Sequence, residues 1–373
     1  MVIESNKILI AGAGPVGLAA ALFLHENGFE SNIIEKLPSP SIFSKALGIN
    51  ARTLTLLEKS GVTEKFLANG RKAHSINFHY KNKCFIHYDI SKAKTKYPFL
   101  LVQTQAESER ILSEAIQERK IQIIRNTELV DCNSSEKNVE VTLKSADGNI
   151  VKNNLPYLIG ADGAKSTVRK NLGIEFPGES LDGHWNLYDV ELDTPINKDE
   201  GHSFLFDDGG IFMLRIKDNI WRVIGCVTDL LQRIPYGTKT GKILWKSDFQ
   251  VNHRVVDNFC KERIFLAGDA AHIHSPLGAR GMNLGIEDAY VLAELFKTNQ
   301  QYYYNSLRKP AVKKVVEMVS RSTKIMQGKT VPAKLFRKFS PLLNYLFPLV
   351  STQAIKFALG LDHELNLSKL PIK

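Results

Sequence analysis

Cysteine is scarce in this chain and never comes in pairs. The four residues Cys84, Cys132, Cys226 and Cys260 lie scattered among 373, with no C-x-x-C spacing. That excludes a disulfide framework and leaves no thiolate set for zinc. His272 and His274 stand close together without a further Cys or carboxylate set, so no metal site is expected. Long unbroken apolar runs are missing too. The tail segment LFRKFSPLLNYLFPLV places Leu335, Phe336, Phe339, Leu342, Leu343, Leu346 and Phe347 at helical spacing, but Pro341 and Pro348 interrupt it, and it cannot span a bilayer. Acidic residues almost vanish between Lys297 and Gly360, where twelve Lys or Arg face Glu317 alone, a local +11 against +10 for the whole chain. No aromatic-interleaved basic pattern accompanies this run, so no nucleic-acid partner is expected. A solvated helix face is the simplest account, and reversible contact with an anionic membrane surface is the alternative.

Two separated segments carry the chemistry. Residues 7 to 17 read KILIAGAGPVG, an apolar strand that runs into Gly12, Gly14 and Gly17 and then a helix. Gly12 allows the tight turn, Gly14 lets backbone approach phosphates, and Gly17 permits close packing of helix on strand. Pro15 suits the first helical turn, where a missing N–H matters little. A signal peptide or membrane span over Ile8 to Leu24 fits less well than a βαβ unit, because a second strand, Ser31 to Ile34, follows. That strand ends at Glu35, about 20 residues past the turn, where an acid accepts hydrogen bonds from adenosine ribose hydroxyls. Lys36 beside it is a further cofactor-binding candidate.

The second segment, RIFLAGDAAHIHSPLGARGMNLGIED, spans residues 263 to 288. A strand from Arg263 to Ala267 delivers Gly268 and Asp269, and a loop with Pro276, Gly278 and Gly281 opens a helix from Met282 to Phe296 that includes Asn283. A carboxylate at the strand end suits the open ribityl chain that distinguishes FAD from NAD, and the helix start favours the negative charge of reduced flavin. The pair of segments therefore points to FAD.

These motifs resemble the flavoprotein aromatic-ring monooxygenases of the p-hydroxybenzoate hydroxylase type, over residues 5 to 330. The middle match is YLIGADGAKSTVRKNLGI, where Asp162, Gly163, Ser166 and Arg169 fall on a family motif associated with flavin and reduced-nicotinamide binding. In QAESERIL, Gln105, Glu109 and Leu112 sit where the family has a glutamine near the flavin and a helix running back to the sheet. Lys45 stands where an arginine commonly touches the pyrophosphate, keeping the charge and losing the planar fork. The resemblance implies that NADH or NADPH reduces FAD, that dioxygen adds to it, and that a flavin C4a-hydroperoxide hydroxylates a phenolic or polycyclic aromatic substrate. No second glycine fingerprint exists for the nicotinamide, which would bind transiently.

The expected fold is α/β: a Rossmann-like FAD-binding domain with a β-sheet substrate domain and a C-terminal helical region. The FAD-binding domain is discontinuous, over residues 1–71, 105–173 and 259–330. Residues 72–104 and 174–258 form the substrate domain, and 331–373 a helical tail. WNLYDVELD, HSFLFDDGGIFMLRI and IWRVIGCV read as strands by their alternation, and Asp147-Gly148 as a hairpin turn. Pocket candidates on the sheet are Tyr188, Phe204, Phe206, Phe212, Arg215 and Trp221. Arg215 is the expected anchor for a carboxylate or phenolate and Tyr188 the expected proton relay. The expected location is the cytoplasm, with peripheral membrane contact through the basic region as the variant. Two alternatives remain: a membrane-associated hydroxylase of a quinone precursor, and a flavin-binding reductase, isomerase or binder without monooxygenase turnover.

Overall fold

A computed structural model describes residues 4–40, 46–80, 83–331, 333–335 and 347–367. The apolar segment Ile8–Ala11 is a fully buried strand at the centre of a six-stranded sheet. Its neighbours are Ser31–Glu35 on one side and Leu158–Gly160 on the other, both parallel to it. Gln122–Arg125 and Ile264–Leu266 extend the sheet in parallel, and Cys260–Lys261 closes one edge antiparallel. Strands buried on both faces read as short apolar runs, and the fully buried ILIA, LIG and IFL show no alternation of apolar with polar residues. Strand order reverses at Ile8–Ala11, the chain running outward to Gln122–Arg125 on one side and returning to Leu158–Gly160 on the other, so a ligand crevice opens past its carboxyl end.

The first helix, Pro15–Glu26, packs on the helix Gly281–Lys297, which joins the two separated glycine segments. Both are heavily buried and rich in Ala and Leu, so the pair forms the centre of the main core. A seven-stranded sheet lies beyond, in the order Lys239–Phe249, Trp185–Asp193, Ile220–Gly225, Gly209–Lys217, Gly201–Phe206, Ser75–Tyr80, Lys83–Asp89. All its pairings are antiparallel except Ser75–Tyr80 with Gly201–Phe206. The expected hairpin at Asp147-Gly148 forms between Val139–Ser145 and Ile150–Leu155, with Gly148 at φ +84°. The fold is thus the expected α/β arrangement with a separate sheet.

The basic run forms much of a long helix, Tyr304–Gln327. Its charges are largely met by acids and carbonyls from other segments. Lys309 lies 3.1 Å and Lys313 3.8 Å from Asp257, and Lys324 2.8 Å from Glu179. Lys314 and Lys329 donate to the Asp362 and Asp182 carbonyls. A last helix covers Phe347–Ala358. Of the apolar tail residues, Leu335 is exposed, and Phe336, Phe339, Leu342, Leu343 and Leu346 lie outside the described residues. No helix among the described residues is long and apolar enough to cross a membrane.

Candidate active site

The glycine turn is held by backbone contact. Gly12 has φ +110°, and a Cβ there would lie 2.3 Å from the Ala161 carbonyl oxygen. At Gly17 a Cβ would fall 1.9 Å from the Gly12 oxygen, closer than any side chain can approach. Gly14 differs: a Cβ there would meet nothing within 4 Å. Gly14 is the N-cap of Pro15–Glu26, and no side chain caps that helix. Open space ahead of an uncapped helix start suits a pyrophosphate, whose charge the helix dipole and free N–H groups favour. The residues present therefore fit FAD at this end.

Glu35 sits across the turn. Its Oε2 accepts from the Ala13 N–H at 2.9 Å and its Oε1 from the Leu37 N–H at 3.0 Å, leaving lone pairs on both oxygens for ribose hydroxyls. Lys36 follows it, exposed. Lys45 lies outside the described residues.

The second segment packs onto the first through Val16. A Cβ at Gly268 would lie 2.8 Å, and one at Gly285 2.5 Å, from Val16 Cγ2. Asp269 is exposed on the wall of a cavity of about 840 Å³, together with Gly14, Pro15, Gln105, Pro276, Gly278, Gly281 and Met282. Asn283 is a brace. Its Nδ2 donates to the Gly48 carbonyl at 2.8 Å, and its Oδ1 accepts from the Asn50 N–H at 3.1 Å. Gln105 accepts from the Ala46 N–H at 3.3 Å and donates to Glu109 at 2.8 Å, whose carboxyl burial pushes up.

The middle motif serves as a junction. Asp162 Oδ2 accepts from the Thr167 and Val168 N–H groups at 2.7 and 3.2 Å, capping the short helix Thr167–Asn171. Arg169 is buried, donates to the Ala270 and Ala164 carbonyls at 2.9 Å each, and stacks over Phe176. It thereby ties this motif to the residue beside Asp269.

On the sheet, alternation decides which candidates reach the cavity. Phe78, Ile86, Leu187, Leu205, Phe212, Leu214, Arg222 and Ile224 face it. Successive residues point to opposite faces, so Tyr188, Phe204, Phe206 and Trp221 pack in a separate cluster on the other side. Arg215 is also turned away from the cavity: it donates to the Lys198 carbonyl at 3.0 Å and pairs with Asp199 at 2.7 Å. The structure brings neither Arg215 nor Tyr188 to the cavity, and of the six sheet candidates only Phe212 lines it. The arginine on the wall is Arg222, whose Nε and Nη2 donate to Asp189 at 2.8 and 2.7 Å.

The C-terminal segment completes the cavity. Gln353, Ala354, Phe357 and Ala358 line it beside Met318, Ser322 and Met326. A buried ionic cluster holds this segment. Arg280 pairs with Asp362 at 2.7 Å and donates to the Phe357 carbonyl. Arg308 meets Glu287 and Asp288 at 2.7 Å each, while His363 and His272 contact Glu287 and Asp288 at 2.6 Å. Arg52 donates to the Gly360 and His363 carbonyls. Burial pushes the Glu287 carboxyl up, but Arg308, His363 and Arg52 outweigh it and hold it at about 2. Asp362 is likewise held at about 2 against burial by His363 and Arg280. Burial lowers His363, yet its bonds to Asp362 and Glu287 leave it raised. His272 thus belongs to an ion network, and no group of three or more metal-ligating side chains occurs among the described residues.

A parallel sheet with two glycine segments at its crevice, feeding a cavity walled by a second sheet, defines a dinucleotide-binding protein of the flavin type. The chain belongs to the family described as FAD binding domain, whose model matches residues 5–317. It is 32% identical over 309 residues to 6-methylpretetramide 4-monooxygenase of Streptomyces rimosus, covering 78% of this chain and 55% of that one. It is 29% identical over 306 residues to dialkyldecalin synthase of Streptomyces rugosporus, covering 76% of this chain and 64% of that one. The matches thus span less than two thirds of the length of these relatives. Among solved structures, the anhydrotetracycline hydroxylase of Streptomyces rimosus superposes with a TM-score of 0.80 at 25% identity, over 96% of this chain and 76% of that one.

Proposed function

We propose that this chain is an FAD-dependent monooxygenase that uses NADH or NADPH and dioxygen to hydroxylate a phenolic or polycyclic aromatic substrate. The observation that carries the proposal is the continuity of one largely apolar cavity, from the helix start at Gly14 past Asp269 to the sheet wall at Phe212 and Leu205. Such a space holds an aromatic ring system against the flavin with few polar anchors. Family membership and the similarity to 6-methylpretetramide 4-monooxygenase support the same reading.

Bound there, FAD would supply the redox chemistry that couples a nicotinamide nucleotide to dioxygen. The chain's own residues do the rest. Gly14 leaves room for the pyrophosphate, Glu35 receives the ribose hydroxyls and Asp269 the ribityl hydroxyls. Arg169 is a positioning residue that fixes the Ala270 carbonyl next to Asp269. The apolar wall excludes water, which would otherwise divert the reaction to hydrogen peroxide. Residues 1–71, 105–173 and 259–330 act here as the FAD-binding domain, and 72–104 with 174–258 as the substrate domain. The C-terminal segment walls the cavity, a role the pairing of its neighbouring lysines favours over membrane contact.

The test is purification, a search for a bound flavin spectrum, and measurement of nicotinamide oxidation against a panel of phenols, polycyclic phenols and quinone precursors. Substrate-stimulated oxidation is expected; a flavin-free protein would refute the proposal. A second reading, a flavin-binding protein without monooxygenase turnover, is favoured by the similarity to dialkyldecalin synthase. It requires conversion of substrate with no oxygen uptake.

A further inference from the structure

We propose that Asp189 is a specificity-determining residue: by cancelling the charge of Arg222 on the cavity wall, it makes the site take neutral aromatic compounds and turn away aromatic carboxylates. The proposal rests on the aromatic-substrate reading above and names the charge class of substrate within it. Asp189 and Arg222 stand directly opposite each other on the neighbouring strands Trp185–Asp193 and Ile220–Gly225. Two residues along, Leu187 faces Ile224, and Leu214 flanks Arg222 from the next strand; all three line the cavity, as Arg222 does. Residues two apart on a strand share a face, so the ion pair lies on the cavity face. Its geometry is a bidentate fork, with Arg222 Nε donating to Oδ1 at 2.8 Å and Nη2 to Oδ2 at 2.7 Å. Both side chains are largely buried, at 5% and 15% exposure, so water does little to screen either charge.

Among the described residues, the other charged side chains that line the cavity are Arg280 and Asp269. Arg280 is matched by Asp362 at 2.7 Å. Asp269 follows Gly268, which packs against Val16 at the nucleotide end. His274 is neutral, because burial lowers its ring to about 3. Each arginine on the wall thus already has its carboxylate, and a substrate carboxylate entering this apolar space would find no counter-charge. An unpaired ion in such surroundings is far costlier than a neutral polar group. With a neutral residue at position 189, Arg222 would instead attract the anion, since Coulomb attraction strengthens where water is excluded and needs no direct contact.

Holoprotein is titrated at neutral pH with 2-naphthol, 6-hydroxy-2-naphthamide and 6-hydroxy-2-naphthoate, following the flavin spectrum. Amide and carboxylate share a shape and differ in charge, so the ratio of their dissociation constants reads charge selection apart from size. Wild type is expected to bind the amide about tenfold or more tighter than the carboxylate, the scale set by a charge without a partner. Asp189→Asn keeps an oxygen for the guanidinium and removes the negative charge, so the ratio should fall to unity or below. The double variant Asp189→Leu with Arg222→Met leaves the wall neutral and should keep the wild-type ratio. Asp199→Asn, which removes an exposed acid paired with Arg215 away from the cavity, should keep it as well. A wild-type ratio near unity, or an Asp189→Asn ratio equal to wild type, overturns the proposal. Acceptance of the carboxylate by the double variant assigns the rejection to packing and overturns it too. If Asp189→Asn fails to fold, the wild-type and double-variant ratios decide between these outcomes. Wild-type holoprotein that binds none of the three probes refutes the aromatic-substrate reading, and the proposal with it.

Discussion

The nucleotide end and the sheet end of the cavity are built under different constraints. At the nucleotide end, backbone meets backbone: a Cβ at Gly17 would stand 1.9 Å from the Gly12 oxygen, and one at Gly12 2.3 Å from the Ala161 oxygen. A side chain there disturbs the fold whatever its chemistry. At the sheet end the wall is made of side chains such as Leu187, Leu205 and Phe212, whose size can change while the strand pairing persists. On the proposed function, the first region would fix which cofactor fits and the second would be free to set which substrate fits.

Glycine variants offer the strongest break in that comparison. Gly17→Ala should destabilise the fold by about 3 kcal/mol or more, since overpacking against rigid backbone cannot relax. Gly14→Val should leave the apoprotein's melting temperature nearly unchanged, because a Cβ there meets nothing within 4 Å, yet abolish FAD retention. Thermal melts of both apoproteins with flavin content measured in parallel check this. Equal loss of stability in the two variants would erase the distinction between a packing glycine and a phosphate-facing one.

The next largest effect belongs to the ionic cluster that seats the C-terminal segment. Asp362→Ala should destabilise this region by about 3–5 kcal/mol, because Arg280 is left buried without its counter-charge. Limited proteolysis around residues 347–367 reads it directly. The pH dependence has two limbs. Glu287 and Asp362 titrate below their ordinary values of 4.5 and 3.8, so their contribution is present above those values and is lost as pH falls toward about 2. His363 is raised, so its contribution is full below 6.5 and is lost as pH rises through its higher folded value. Protection of the segment from hydrogen exchange should therefore peak between pH 4.5 and 6.5. A flat profile would remove these groups from the latch.

Asp269→Ala should weaken FAD binding by about 1.5–3 kcal/mol, the loss of charge-assisted hydrogen bonds to the ribityl hydroxyls. Measured flavin dissociation equal to wild type would contradict that placement. The smallest contrast lies on the sheet. Arg222→Leu should raise KM for the aromatic substrate, whereas Arg215→Ala should leave kcat/KM within about twofold, as expected for a surface ion pair. The reverse order would mean that the cavity face has been misassigned.

The same division explains what the sequence discloses. Segments governed by backbone geometry are legible residue by residue: the strand ending in Gly12, the second strand ending at Glu35, and the helix expected over Met282–Phe296, which forms at Gly281–Lys297. On the seven-stranded sheet both faces are apolar, one lining the cavity and one packing around Trp221 and Met213, so alternation of apolar with polar residues does not mark the inner face. Tyr188 and Arg215 were therefore plausible by type and turned the wrong way. Arg222 lies in the same strand as Trp221 and differs from it only in parity. The ionic cluster was invisible for another reason, since Arg52, Glu287, Arg308 and Asp362 come from four distant stretches that only the fold brings together.

Monooxygenase turnover is tested most directly by incubating the holoprotein with NADH or NADPH, an accepted phenolic or polycyclic substrate and isotopically labelled dioxygen, then weighing the product. One labelled oxygen atom in the product, with dioxygen consumed, is the expected result. A converted product that contains no atom from dioxygen, or conversion that proceeds without it, would contradict the monooxygenase assignment and move this chain to the flavin-binding reading without oxygen transfer.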